Sequence, residues 1–422
     1  MTTTMTAATP ANNVRQDALV IGLVGLAHSI SHFFHLILAP LFPWIKEAFS
    51  LSYAELGLLM TVFFIVSGVG QALSGFVVDK LGARAVLFFG VSCLGVSALA
   101  LSMAQNYPML LAGSMLAGLG NSVFHPSDYT LLNKRVSTAR LGYAFSVHGI
   151  TGNLGWATAP VFLISIAGIA GWRSALLAAA LLPLIVLAIL FIYRDALRTD
   201  EVAQPDRVAA PASAVRPAGA ISKNEGTMDF MRLPAVWMCF AFFFMTAMAL
   251  GGIQSFASVS LREVYGMSLG WATTAYTGYM LASAAGMLWG GFIAAKTTQH
   301  DRTITIAFSV AGCFALLLAT GWVNAALAVV LMAAIGFGSG IAGPSRDLLI
   351  RAAAPKNATG RVYGVVYSGL DTGLACSPLL FGAVMDARHP GWIFICIGVF
   401  QVMAILTAVN VGANTKARAL AV

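Results

Sequence analysis

"GLGNSVFHPSDYTLL", residues 118–132, and "GFGSGIAGPSRDLLI", residues 336–350, align at a constant offset of 218. Gly118 matches Gly336, Gly120 matches Gly338, Pro126 matches Pro344 and Ser127 matches Ser345. The offset continues through Gly142/Gly360, Gly155/Gly373 and Pro160/Pro378, while an offset of 216 relates Lys46-Glu47 to Arg262-Glu263 and Gly75 to Gly291. This many coincidences in one order mean an internal duplication, so the fold is one that two copies of a unit can build.

Composition says what the unit is. The 422 residues are 59% hydrophobic and only 9% charged, where soluble proteins are about 25% charged, and the mean hydropathy is +0.83. Apolar runs long enough to cross roughly 30 Å of hydrocarbon recur along the chain. They place twelve spans near 18–43, 54–78, 84–104, 107–132, 142–168, 172–193, 234–260, 269–294, 304–322, 325–350, 361–385 and 391–412. The reading is an all-α membrane protein of twelve transmembrane helices: a tail over 1–17, a six-helix bundle over 18–193, a linker over 194–233, a second bundle over 234–412 and a tail over 413–422. The linker, with "AQPDRVAAPASAVRPAGAISKNEG", is rich in Ala, Pro and charge, as flexible connections are.

The net charge of +8 is topological. With the N-terminus inside, 19 of the 24 Lys and Arg fall on cytoplasmic segments; Lys46, Arg173, Arg262 and Arg388 fall outside and Arg346 within a span. The positive-inside rule then puts both termini in the cytoplasm, and no nucleic-acid partner is needed to explain the basic balance. The first apolar stretch is too long for a signal-peptide core and reads as a retained span. The five cysteines are single and scattered, which excludes a disulfide framework or a zinc-ligand spacing. "GLGNS" and "GFGSG" lie within spans and lack the setting of a phosphate loop.

A parallel 6+6 repeat joined by a cytoplasmic linker resembles the major facilitator superfamily, whose substrates sit near the midplane between two rocking halves. "GFVVDKLGARAV", Gly75 to Val86, is similar to that superfamily's loop between spans 2 and 3, with Gly75, Asp79, Gly82 and Arg84 in place, Lys80 for the usual Arg, and Ala83 where the first Arg of the pair would stand. The resemblance implies that Gly75, Asp79, Lys80, Gly82 and Arg84 form a conformational lock on the cytoplasmic side. The second copy, "GGFIAAKTTQHD", has Ala295 where the acid should be, so the lock is expected to be asymmetric. "HSISHFFHLILAPLFP", "GQALSGFVVDKLGAR" and "GNSVFHPSDYTLLN" resemble the fosmidomycin resistance branch. That likeness implies proton-driven export of a small phosphonate antibiotic from a bacterial inner membrane, by a monomer without cofactor.

Ionisable groups inside a span are disfavoured by about 2.5–3.5 kcal/mol on insertion scales and mark function. They are His28, His32 and His35 in span 1, His125 and Asp128 in span 4, His148 in span 5, Arg346 and Asp347 in span 10, and Asp371 in span 11. His28, His32 and His35 share one helix face, and imidazole titrates near neutrality; His32, central in the stripe, is the favoured member. By resemblance, spans 1, 4, 7 and 10 line the cavity, where Asp128 and Arg346 hold equivalent repeat positions with opposite charge. Asp128 is expected either to carry the coupling proton or pair with Arg346, or to complete the cytoplasmic lock. Arg346 suits an anionic or phosphonate-like substrate, its planar fork matching such oxygens, with an ion pair to Asp128 or Asp347 as its structural alternative. No metal is expected, because Arg346 in the same cavity would repel a cation. Asn153 and Asp371 are repeat equivalents; Asp371 is a second proton site or a helix-interface hydrogen-bonding residue. "HGITGNLGWATAP", His148 to Pro160, resembles the Gly- and Pro-rich span-5 signature of the superfamily's antiporters without its GP dipeptide.

The leading expectation is a proton-coupled exporter of a small anionic or amphipathic compound, with a proton-symport importer of organic anions as the alternative. A receptor would carry a sizeable soluble domain where only a linker of about forty residues is available, and an enzyme would show a nucleophile or metal constellation.

Overall fold

A computed structural model describes residues 14–137, 140–198, 234–353 and 359–420; most of the expected linker and the N-terminal tail before Val14 lie outside them. Among the described residues there is no strand. The first bundle is built from α1 (Val14–His35), α2 (Phe42–Phe49), α3 (Tyr53–Leu81), α4 (Ala83–Ser102), α5 (Tyr107–Asn121), α6 (Phe124–Arg135), α7 (Leu141–Ala170) and α8 (Trp172–Ile192). The second is built from α9 (Pro234–Tyr265), α10 (Leu269–Lys296), α11 (His300–Ala319), α12 (Ala325–Ala353), α13 (Thr359–Asp386) and α14 (Trp392–Leu420). α14 thus continues past residue 412, where the last span was expected to end.

Two expected spans of the first bundle are each broken into two helices, and proline explains both. In "LILAPLFP" Pro40 and Pro43 cannot donate back into a helix, so span 1 stops at His35, turns through a short 3-10 helix at Ala39–Leu41 and resumes as α2. In span 4 Pro126 leaves the Ser122 carbonyl without its helical donor; Ser74 Oγ donates to that carbonyl instead, at 3.1 Å. The repeat-equivalent Pro344 lies inside the unbroken α12.

Among the described residues, ten helical segments are long and apolar enough to span a bilayer. The two exceptions among the twelve expected spans are the broken α5–α6 pair and α10, whose Thr273, Thr274, Thr277, Tyr276 and Tyr279 lower its hydropathy. Those polar residues belong to a helix packed on both sides by protein. α10 lies against α12 through Gly286 and Gly290 on one side and Gly336 and Gly340 on the other; a methyl at any of them would overlap a backbone carbonyl of the partner. Spacing two glycines four apart lets backbones meet this closely, the packing that replaces the hydrophobic effect within lipid.

The outward faces of α4, α8, α11 and α14 expose Phe89, Val96, Leu181, Ile185, Val310, Leu316, Val402 and Leu406, a lipid-facing surface. The two bundles meet at the end that carries the start of α3. There the Asp386 carboxylate accepts from the backbone N–H groups of Tyr53 (2.7 Å) and Ala54 (2.8 Å), capping α3 from the other bundle. Tyr53 Oη donates to Glu263 at 2.9 Å and Thr61 Oγ1 to the Ala375 carbonyl at 2.7 Å. Toward the opposite end Phe76, Tyr143, Trp289 and Phe292 are each more than 60% exposed, and a methyl on Gly75, Gly149 or Gly291 would touch nothing within 4 Å. The bundles are closed at one end and parted at the other.

Candidate functional site

α1 presents its three imidazoles inward, and α6 and α7 supply what they meet. Asp128, fully buried on α6, accepts hydrogen bonds on one oxygen, Oδ2, from His28 Nδ1 and from His148 Nε2, each at 3.1 Å. Its Oδ1 has no partner among the described residues. The His28 and His148 rings stack with centroids 3.5 Å apart, His28 leans on His32 at 4.4 Å, and His32 stacks on His35 at 4.8 Å. His125 joins the group edge-on to His28 at 5.4 Å, and its Nδ1 meets Gln71 Oε1 at 2.8 Å. Five imidazoles and one carboxylate therefore form a single core inside the first bundle. Small residues of α7 make room for it: a Cβ at Gly152 would approach the His32 and His28 rings, and one at Gly155 would overlap the Ser29 carbonyl.

At its far end the core is held by neutral partners. Asn121 Oδ1 accepts from Ser31 Oγ at 2.8 Å and from His35 Nε2 at 3.2 Å, while its Nδ2 donates to Ser67 Oγ at 2.8 Å. Trp156 on α7 packs over His32 with centroids 4.3 Å apart and donates its Nε1–H to His35 Nδ1 at 3.3 Å. The sequence reading missed Asn121, Gln71 and Trp156. Asn121 and Gln71, uncharged polar residues within spans, carried the clearest missed signal.

Trp156 also forms part of the wall of a cavity of about 810 Å³, its open mouth included, between the bundles. Asn153, Tyr279, Ser283, Arg346 and Gln401 line it too, and among the described residues Arg346 is the one charged residue that does. The Arg346 guanidinium lies over the Phe243 ring at 4.8 Å, a cation–π position. None of the histidines lines this cavity.

The expected pairing of Asp128 with Arg346 is therefore not what the structure holds: the acid is bound by imidazoles of its own bundle, and the base faces the cavity. For the lock reading of Asp128, Arg84 donates to the Arg194 carbonyl at 3.2 Å, within the first bundle. Of the expected lock, Gly82 adopts φ +83° between α3 and α4, which explains glycine there. Lys80 is exposed, and the side chains of Asp79 and Asp347 lie outside the described ones. Among the described residues, no hydrogen bond or ion pair joins this loop to the second bundle. Asn153 bonds the Gly149 carbonyl at 3.1 Å and borders the cavity; its repeat partner Asp371 faces Gly68 of α3 instead. An unforeseen ion pair sits near the start of α1, where Asp17 Oδ2 accepts from Arg140 Nε at 2.8 Å and Ser137 Oγ at 2.6 Å.

Ligand atoms of His28, His32 and His125, and those of His28, Asp128 and His148, each gather within 4.8 Å, a spacing that a divalent cation can use. Arg346, on which the expectation of no metal leaned, does not border these groups. We read the set as hydrogen-bonded, because His28 and His148 stack face to face and aim at one shared oxygen and not at a common vacant point.

Helical bundles in tandem, a charged cavity between them and one closed end are the features of a membrane transporter. The family model described as Major Facilitator Superfamily matches residues 24–371, and the chain belongs to that superfamily. It is a multi-pass membrane transporter, not an enzyme. It is 25% identical over 337 residues to the fosmidomycin resistance protein of Escherichia coli (strain K12), with 78% of each chain covered. It is also 28% identical over 159 residues to the probable nitrate transporter NarT of Staphylococcus aureus (strain JH9), a match spanning 38% of this chain and 40% of that one. Among solved structures, a bacterial homolog of the human lysosomal transporter Spinster, in an inward-facing and occupied conformation, superposes with a TM-score of 0.66 at 16% identity, covering 94% of this chain and 95% of that one. This last likeness shows the fold alone.

Proposed function

We propose that the protein is a proton-coupled exporter, an antiporter of small anionic or amphipathic compounds such as a phosphonate antibiotic. The observation that carries this reading is the division of labour within one site. A fully buried carboxylate is clasped by two imidazoles and joined by His32 and His35 to Trp156, and Trp156 borders a cavity that Arg346 also lines. Asp128 with His28 and His148 takes up and releases the coupling proton, because a buried acid with an unpartnered oxygen and adjacent imidazoles has both an acceptor and a donor for it. Arg346 receives the substrate anion through its planar donor fork, with Ser283 and Gln401 as neutral partners.

In this reading the bundles over 18–193 and 234–412 rock about the cavity in a bacterial inner membrane, as a monomer, with both termini cytoplasmic, an orientation that the distribution of Lys and Arg supports. The name of the fosmidomycin resistance relative supports the phosphonate. Proton symport of an organic anion inward is the second reading, favoured by Arg346 and by the printed name of the nitrate transporter relative.

The test is accumulation of labelled fosmidomycin in an efflux-deficient bacterium, with and without a protonophore. Lower accumulation that the protonophore restores is expected. Asp128→Asn should abolish the gradient-driven component while substrate exchange across proteoliposomes persists; loss of both would reject Asp128 as the proton carrier. No protonophore-sensitive change, with the protein demonstrably in the membrane, would reject the export of fosmidomycin.

A further inference from the structure

The histidine core and the cavity are separate, and one side chain belongs to both. Trp156 packs its ring on His32, gives its Nε1–H to His35 Nδ1 and forms part of the cavity wall. The hydrogen bond has a strict requirement. An indole N–H only donates, so His35 Nδ1 must carry a lone pair. The other ring nitrogen, Nε2, faces Asn121 Oδ1, which also accepts from Ser31 while the Asn121 amide donates to Ser67. Asn121 thus fixes the neutral tautomer with hydrogen on Nε2 and the lone pair on Nδ1. A proton added at Nδ1 would turn it into a donor pointing at a donor, and the contact with Trp156 could not persist.

We propose that Trp156 is the positioning residue that reports the protonation state of the histidine core to the substrate cavity: with His35 neutral the indole is held against the core, and with His35 protonated it is released into the cavity. This rests on the proton-coupling reading above. The groups facing His35 are few. His32 lies on its own helix, and His125 of α6 stands edge-on to His32; α3 contributes Phe63 and Phe64, α5 contributes Asn121, and α7 contributes Trp156. Asp128, through His28, is the nearest carboxylate on this path. A proton taken up at Asp128 reaches His35, in this proposal, by way of the stacked imidazoles of His28 and His32.

The experiment uses the full chain in lipid nanodiscs with 5-fluorotryptophan in place of tryptophan, the Trp156 resonance being assigned by its disappearance in Trp156→Phe. In the wild type that 19F resonance should shift as the pH is taken from about 8 down to about 3. In His35→Gln, whose side-chain carbonyl still accepts the indole N–H but gains no proton, it should stay at its high-pH position throughout. A wild-type resonance that does not move, or one that titrates unchanged in His35→Gln, overturns the proposal. Binding of fosmidomycin gives the second arm. Wild-type affinity should vary with pH, by at most about tenfold per pH unit for one linked proton, and Trp156→Phe, which keeps an aromatic ring on His32 but has no donor, should retain only the pH dependence that the ligand's own phosphonate ionisation brings. An unchanged pH profile in Trp156→Phe also refutes the role. If the resonance behaves as expected while the protonophore has no effect on accumulation, proton-driven export fails and the positioning role of Trp156 stands.

Discussion

In the first bundle α1 sets His28, His32 and His35 against Asp128 and His148; the corresponding residues of α9, displaced by 216, are Phe244, Met248 and Gly251. On the other side of each bundle, His125 and Asp128 of α6 correspond to Gly343 and Arg346 of α12 at the offset of 218. One half fills the inside of its bundle with imidazoles that satisfy one another. The other has a glycine where an imidazole stands in its twin, and Gly343 borders the cavity that this leaves, beside Arg346. Volume and charge have moved in opposite directions in two copies of one scaffold. A buried polar group in lipid must be matched by neighbours, so titratable groups accumulate together where they can pair, and the cavity opens where they are absent.

The largest effect that tests this contrast is at Arg346. Replacing it with Gln removes a charge-assisted fork, a loss of about 2–3 kcal/mol, or roughly 30- to 150-fold in affinity. KM for fosmidomycin in proteoliposomes should rise by that order while the residual flux still responds to the proton gradient. Unchanged KM would mean that the cavity beside Arg346 is not where the anion binds, and the contrast between a proton site and a substrate site would break.

A smaller effect is expected where the halves touch. Gly57 of α3 lies against the Pro378 carbonyl of α13, and a methyl there would overlap it. Gly57→Ala should therefore part the closed end, working against the Asp386 carboxylate that caps α3 with its two hydrogen bonds; a cap of this kind contributes about 1 kcal/mol. Spin labels on the first turn of α3 and the last turn of α13 should show a longer-distance population in Gly57→Ala. A distribution like that of the wild type would show that the closed end tolerates a Cβ, and that the two halves are not held together by this approach.

Much of this was legible in sequence. The duplication, the twelve spans and the membrane class follow from glycine and proline offsets and from hydropathy, which are local properties of the chain. The gathering of His28, His32 and His35 on one face followed from helical periodicity. The partners of Asp128 did not, because repeat symmetry relates positions across the molecule without saying which way a side chain turns. Equivalent positions with opposite charge suggested a pair; in the fold the acid turns into its own bundle and the base into the cavity. Trp156 went unnoticed because an aromatic residue in an apolar span has no sequence signal that separates packing from a shared hydrogen bond. The break in span 4 was hidden for a related reason, since Pro126 and Pro344 match in sequence yet only the first interrupts its helix.

Asp371 gives the smallest expected effect and the finest test. It is the repeat partner of Asn153, so the second bundle holds a carboxylate in span 11 at a place where the first bundle has an amide. Its neighbour Leu370 borders the cavity, but Asp371 itself does not. It packs toward Gly68, at a point where a methyl on that glycine would stand 3.4 Å from the Asp371 Cβ. A carboxamide has nearly the shape of a carboxylic acid, and a glycine offers it no steric conflict. Asp371→Asn should therefore leave KM for fosmidomycin unchanged and the gradient-driven rate within about twofold, a difference of roughly 0.4 kcal/mol. The comparison with Asp128→Asn is the sensitive one, because both substitutions remove one carboxylate from a span. If Asp371→Asn abolished gradient-driven transport as completely, titratable chemistry would not be confined to the first bundle, and the duplication would have kept a proton site in each half.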